Sequence, residues 1–150
     1  MCPRDSASSA WRRSLARLAS LAPWERGVLL RCAFLLPMAS LALRCVPLHR
    51  LRAWALGDQC RNDQDIALAQ RLGELVTIAG GRLPLASTCL ARSLVLTRLL
   101  RSRGLQAELR VGVKAPAGSL LDAHAWVEHG GTALGEAAGY ASFDWPAPRR

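Results

Sequence analysis

The order of periodicities along the chain predicts an α+β fold. Helical patterns fill the N-terminal part, and a two-residue alternation takes over from Gln106. A second observation concerns residues 89–103, whose apolar positions wrap most of the helical circumference, the mark of a helix at the centre of a domain. A third is that the alternating segments are short and separated by Gly and Pro, as in a small antiparallel sheet. With 150 residues, 51% hydrophobic and 21% charged, the chain suits one globular domain, and composition excludes disordered, collagen-like and coiled-coil classes.

The helical part reads in order as follows. Trp11, Leu15 and Leu18 stand at i, i+4, i+7 with Arg12, Arg13 and Arg17 off the stripe, predicting an amphipathic helix over 9–21 that Pro23 ends. A second, more buried helix is expected over 25–36. A third covers 40–56, interrupted near Pro47 and closed by Gly57. Asn62, Asp63 and Asp65 supply cap and first-turn acids for a helix carrying Ile66, Leu68, Leu72, Leu75, Val76 and Ala79, stopped by Gly80-Gly81. An extended Arg82-Leu83-Pro84 link follows. Ser87 and Thr88 are cap candidates for the central helix, whose end is set by Gly104.

Ala107, Leu109, Val111 and Val113 then alternate with polar or small residues in a half-buried strand, and a loop with Pro116 and Gly118 leads to the alternation around Ala123, Ala125 and Val127. Taken as a three-residue loop, His129-Gly130-Gly131 pairs Glu128 with Thr132, Trp126 with Leu134 and His124 with Glu136 in a final strand over 132–136. A two-residue Gly-Gly turn would shift this register by one and put Glu136 on the other face.

Charge and cysteine usage narrow the class. The net charge is +9, and residues 1–57 alone carry +7, so a basic helical N-terminal segment packs on a core spanning 58–150. Such a field attracts nucleic acid, anionic lipid or an acidic peptide. Few stacking aromatics stand among the arginines, which argues against nucleic acid. Cys2, Cys32, Cys45, Cys60 and Cys89 are odd in number and contain no CxxC pair, so neither a zinc ribbon nor a disulfide framework is expected, and a reducing cytoplasm fits. Residues 32–43 are apolar between Arg31 and Arg44, too few to span a bilayer and broken by Pro37, so no stable membrane insertion is expected.

Chemistry concentrates on Cys89 and His124. A thiol in the first turn of a helix meets the positive end of the macrodipole and unpaired backbone N–H groups, which favour the thiolate and can also hold an oxyanion. His124 lies on the strand face opposite Ala123 and Ala125, and the central helix is the obvious cover. A general base needs an orienting acid: Glu136 stands across from it in the three-residue-loop register, Asp122 is the local rival, and Asp144 lies further along.

Pro84-x-x-Ser87-x-Cys89-Leu90-x-Arg92-Ser93-Leu94, then Leu99-Leu100-Arg101-x-Arg103-Gly104-Leu105, Leu109-x-Val111-Gly112-Val113 and Ala123-His124-Ala125-Trp126-Val127-Glu128 closely resemble the lasso-peptide biosynthesis B protein, in its transglutaminase-like leader-peptidase half. The resemblance implies a transglutaminase- or papain-like cysteine peptidase core, a central Cys-bearing helix against a small antiparallel sheet. It implies removal of the leader from a ribosomally made precursor peptide by a Cys-His-acid triad. Carried over, the nucleophile is Cys89 and the base His124; the third member, usually Asp, falls on Glu136, a departure with the same charge on a longer arm. Thr88, Trp126 and Arg92 are candidates for oxyanion or substrate contact.

Without alternating strands ahead of the core, the chain resembles the split, peptidase-only form. That form implies a separate leader-recognition protein and an asparagine-synthetase-like lasso cyclase as partners. No cofactor or metal is expected, and no phosphate-binding loop precedes Lys114, so nucleotide use belongs to the cyclase. Two other classes fit the same residues: a transglutaminase-like acyl or amide transferase, and a non-enzymatic basic helical module binding membrane or nucleic acid with Cys89 inert.

Overall fold

The structure, a computed structural model, describes residues 21–57, 64–82, 88–114, 122–135 and 141–142. The expected helix over 9–21 lies outside the described residues apart from Leu21, as do Cys2, Cys60, Asn62, Asp63, Pro84, Ser87, Pro116, Gly118, Glu136 and Asp144. The described elements run α1 (Pro23–Cys45), α2 (Leu48–Leu56), α3 (Ile66–Arg82), α4 (Cys89–Arg101), β1 (Glu108–Lys114), β2 (Asp122–His129), β3 (Thr132–Leu134) and β4 (Ala141–Ser142). Helices precede an antiparallel sheet, so the α+β arrangement holds.

Pro23 opens the first described helix, because its fixed φ and missing N–H cost nothing at the first helical position. The Glu25 carboxylate accepts the Ala22 N–H at 2.8 Å and strengthens that start. The expected break near Pro37 does not occur, and the helix predicted over 25–36 runs on into the first part of the segment predicted over 40–56, as far as Cys45. Pro37 deprives the Ala33 carbonyl of its helical donor, but Ala33 faces solvent, and Val28, Cys32, Leu36 and Ala39 are buried on either side of the proline. The 23-residue α1 is thus long and apolar enough by length and composition to cross a membrane, while its inner side belongs to the protein core. Chain direction changes only at Pro47.

Asp65 caps α3 through Oδ1, which accepts the Leu68 N–H at 3.0 Å. The Gly80-Gly81 stop is displaced to Arg82, since neither glycine takes the left-handed conformation that ends a helix. At the end of α4, Gly104 does take it (φ 79°), with Leu105 N–H to Leu100 O at 3.1 Å and Gly104 N–H to Arg101 O at 3.0 Å, the paired bonds of a Schellman cap.

The sheet order is β3-β2-β1-β4. Helix α4 is central, as its sequence predicts: α1, α2 and α3 pack around it and its remaining side lies on β2 and β1. One apolar cluster joins α1, α3, α4 and the sheet, and a second, around Leu51, Ala55, Leu94 and Leu109, seals α2 to α4 and β1.

The β2–β3 hairpin corrects the expected register. His129 pairs with Thr132 and Val127 with Leu134, which leaves a two-residue turn at Gly130-Gly131. Both glycines have positive φ, 55° and 78°, the requirement of a type I′ turn. His129 is held in the strand because it is buried and its Nδ1 hydrogen-bonds the Gln106 carbonyl at 2.6 Å. The expected pairings of Glu128 with Thr132 and of Trp126 with Leu134 therefore do not form, and the hairpin register no longer argues for Glu136 as the acid of His124.

Candidate active site

Cys89 is the first residue of α4 because Thr88, itself in an extended conformation, caps the helix, its Oγ1 accepting the Ala91 N–H at 3.2 Å. The Arg92 N–H reaches the Thr88 carbonyl at 3.1 Å, so the helix itself provides no acceptor for the N–H groups of Cys89 and Leu90. Those donors and the macrodipole act on a half-buried thiol. Thr88 serves as the cap and stands exposed.

His124 is half-buried on β2 and lines the same cleft as Cys89, a cavity of about 770 Å³. Two elements 35 positions apart in sequence are locked together one helical turn below the thiol. The buried Ser93 Oγ donates to the Ala125 carbonyl at 2.9 Å, tying the residue four after the cysteine to the residue after the histidine. Arg92, one helical turn on from Cys89, also lines the cleft. Trp126 lines it too while only 5% exposed, and its ring stacks on the imidazole with centroids 6.4 Å apart and planes 15° from parallel. It is thus both packed against the sheet and part of the cleft lining.

Asp122 shares the His124 side of β2 and pairs with Lys114 of β1 in the ladder. Glu136, the acid that the family motif marks, falls outside the described residues.

Sequence reasoning missed the third wall of the cleft, given by α3. Gln70, Gly73, Glu74 and Thr77 follow at helical spacing along one stripe that faces the opening. A signal was present: a glycine amid polar residues on an otherwise apolar helix marks a face that does not pack tightly. Ser93 was legible only as part of a motif, since its bond to β2 is a tertiary contact.

A second thiol contrasts with Cys89. Cys32 is fully buried in α1, and burial pushes it up to about 11 although the Arg103 guanidinium pulls the other way. It is a packing residue.

The family model described as the transglutaminase-like superfamily matches residues 28–145. The chain belongs to the transglutaminase-like superfamily. Neither a curated protein nor a solved structure matches it. Members of this superfamily are typically cysteine-dependent enzymes, with activities of the cysteine-peptidase or transferase type. The match begins within α1 and takes in α2, so it includes most of the described part of the basic N-terminal segment expected to pack on the core.

Proposed function

We propose that the chain is a cysteine peptidase that removes the leader from a ribosomally made lasso-peptide precursor. The observation that carries this reading is the meeting of Cys89 and His124 in one open cleft, with Ser93 fastening their two elements together. The motif blocks around Cys89 and His124 narrow the substrate to a leader peptide by resemblance.

In this mechanism His124 takes the Cys89 proton, and the thiolate adds to the scissile carbonyl. The N–H groups of Cys89 and Leu90 face the developing oxyanion. The tetrahedral intermediate collapses to a thioester as His124 returns the proton to the leaving amine. Water, deprotonated by the same imidazole, then adds to the thioester and releases the leader's carboxylate and the thiol. Arg92 contributes positive charge to the substrate side of the cleft. The leader arrives with a separate recognition protein, the freed core peptide passes to the cyclase, and the work takes place in the cytoplasm.

The test mixes the purified chain with a neighbouring-gene precursor and its leader-recognition protein and weighs the products. Two fragments whose masses sum to the precursor plus one water are expected, and Cys89→Ala yields none. Amine-linked products would mark the transferase chemistry that the superfamily also contains. An intact precursor under both conditions contradicts the proposal.

The orienting acid is assigned by the same assay. With Glu136 as the third member, Glu136→Gln lowers turnover on the order of 10²–10⁴-fold, Asp122→Asn is mild and Glu136→Asp is active. A silent Glu136→Gln with a damaging Asp122→Asn moves the role to Asp122.

A further inference from the structure

The even-numbered side chains of β2 form a connected row. The Trp126 indole N–H donates to Glu128 Oε1 at 3.1 Å, while Glu128 Oε2 accepts from Arg110 Nε at 3.1 Å. Arg110 also donates through Nη2 to Glu108 at 2.9 Å. The far end of the indole lies over Gly112, the residue that pairs with His124 across the sheet. A Cβ at position 112 would stand 2.8 Å from Trp126 Cη2, 2.9 Å from Cζ3 and 2.6 Å from the Ala141 carbonyl. The far end of the indole therefore fills a space that is open only because residue 112 has no side chain.

We infer that Trp126 is a positioning residue for His124, clamped through Glu128 and Arg110 at its N–H edge and through Gly112 at its far edge. The inference rests on the proposed role of His124 as the base of Cys89. An imidazole on a strand has two rotatable bonds, and a parallel ring against one face removes part of that freedom. Burial restricts the indole, and its one polar atom adds a directional restraint. Glu128 fixes it by one hydrogen bond and is in turn fixed by a charge-assisted bond from Arg110. Glu128 stands two residues further along β2 and is not among the residues lining the cleft, so its effect on chemistry has to pass through the indole.

The experiment uses the full chain and two readouts. The first is the pH dependence of Cys89 alkylation by iodoacetamide from about pH 5 to about pH 9, followed by peptide mass mapping with no leader present. The second is kcat and KM for leader cleavage. Glu128→Ala should move the alkylation profile towards that of His124→Ala and lower kcat on the order of 10- to 100-fold with KM little changed. Glu128→Gln keeps an acceptor for the indole N–H and should restore the wild-type profile. Trp126→Phe keeps a ring but loses the anchor, and the double variant with Glu128→Ala should lose no more than either alone.

If His124→Ala and wild type share one alkylation profile, Cys89 and His124 are not coupled, and the peptidase reading falls together with the inference. If they differ but Glu128→Ala keeps the wild-type profile, or Glu128→Gln is as damaged as Glu128→Ala, the inference alone is overturned. A wild-type chain that shows the His124-dependent profile but cuts no leader leaves the clamp decided by alkylation and removes the substrate assignment.

Discussion

Helices α4 and α1 are both apolar around much of their circumference, yet the fold uses them differently. In α4, eight of 13 residues are buried, on every side. In α1, only five of 23 are buried, and Leu30, Phe34, Met38 and Leu41 are 52–73% exposed along one stripe. The difference lies in their neighbours: α4 has helices on one side and the sheet on the other, whereas among the described residues α1 packs mainly through the Val28, Cys32, Leu36 and Ala39 side. All-round apolarity thus tells that a helix can be central, and the number of elements available to cover it decides whether it is. Polar groups follow the same division. Buried hydroxyls in α4 bond within the fold, Ser93 to β2 and Thr97 to the Ser93 carbonyl, while α1 fastens itself by the rim pair of Glu25 and Arg71 at 2.6 Å.

The comparison breaks first under truncation of matched leucines. Leu94→Ala in α4 should cost about 2–5 kcal/mol, because the cavity left is enclosed by α2 and β1. Leu30→Ala in α1 should change stability by less than about 0.5 kcal/mol. Urea midpoints at unchanged slope read both, and equal costs would mean that the outer stripe of α1 is covered in solution.

Ser93→Ala is the next largest. It leaves the Ala125 carbonyl buried without this donor, for about 1–3 kcal/mol. Because this bond joins the Cys89 helix to the His124 strand, leader cleavage should slow beyond what the fraction unfolded explains. A stability loss with unchanged cleavage per folded molecule would make Ser93 a packing residue only.

The smallest effect is the pH dependence of the α1 rim. The Arg71 guanidinium and the Ala22 N–H hold the Glu25 carboxyl below the ordinary carboxylate value. The stability this group contributes is therefore present above the ordinary value and is lost as pH falls through the lowered one. Thermal melting at a series of acidic pH values should show a shallower decline for Glu25→Gln than for wild type. Parallel declines would assign the acid sensitivity elsewhere.

The sequence made legible what depends on local chemistry. Asp65 and Thr88 as caps, Gly104 as the left-handed stop and the alternation of β1 and β2 all follow from residue type at a position. Central placement of α4 followed from apolar positions that wrap most of its circumference. What failed depended on tertiary context. Pro37 stays inside α1 because packing on both sides holds the helix, and the hairpin turned on whether His129 joined the loop or the strand. Its burial and its bond to Gln106, invisible in the local sequence, put it in the strand. Cys89 and His124 were legible as a pair, but the α3 wall and the bonds around Trp126 were not, since they join residues without a shared local pattern.

The central claim is that the position of Cys89, at the start of α4 and across the cleft from His124, makes it the reactive thiol of the chain. A limiting amount of iodoacetamide at about pH 6.5, followed by mass mapping of all five cysteines, tests it most directly. The account predicts that Cys89 is modified first, that His124→Ala removes its lead, and that Cys32, buried and pushed up to about 11, stays unmodified until the chain unfolds. Uniform labelling of the five, or a lead for Cys89 that survives His124→Ala unchanged, would contradict it.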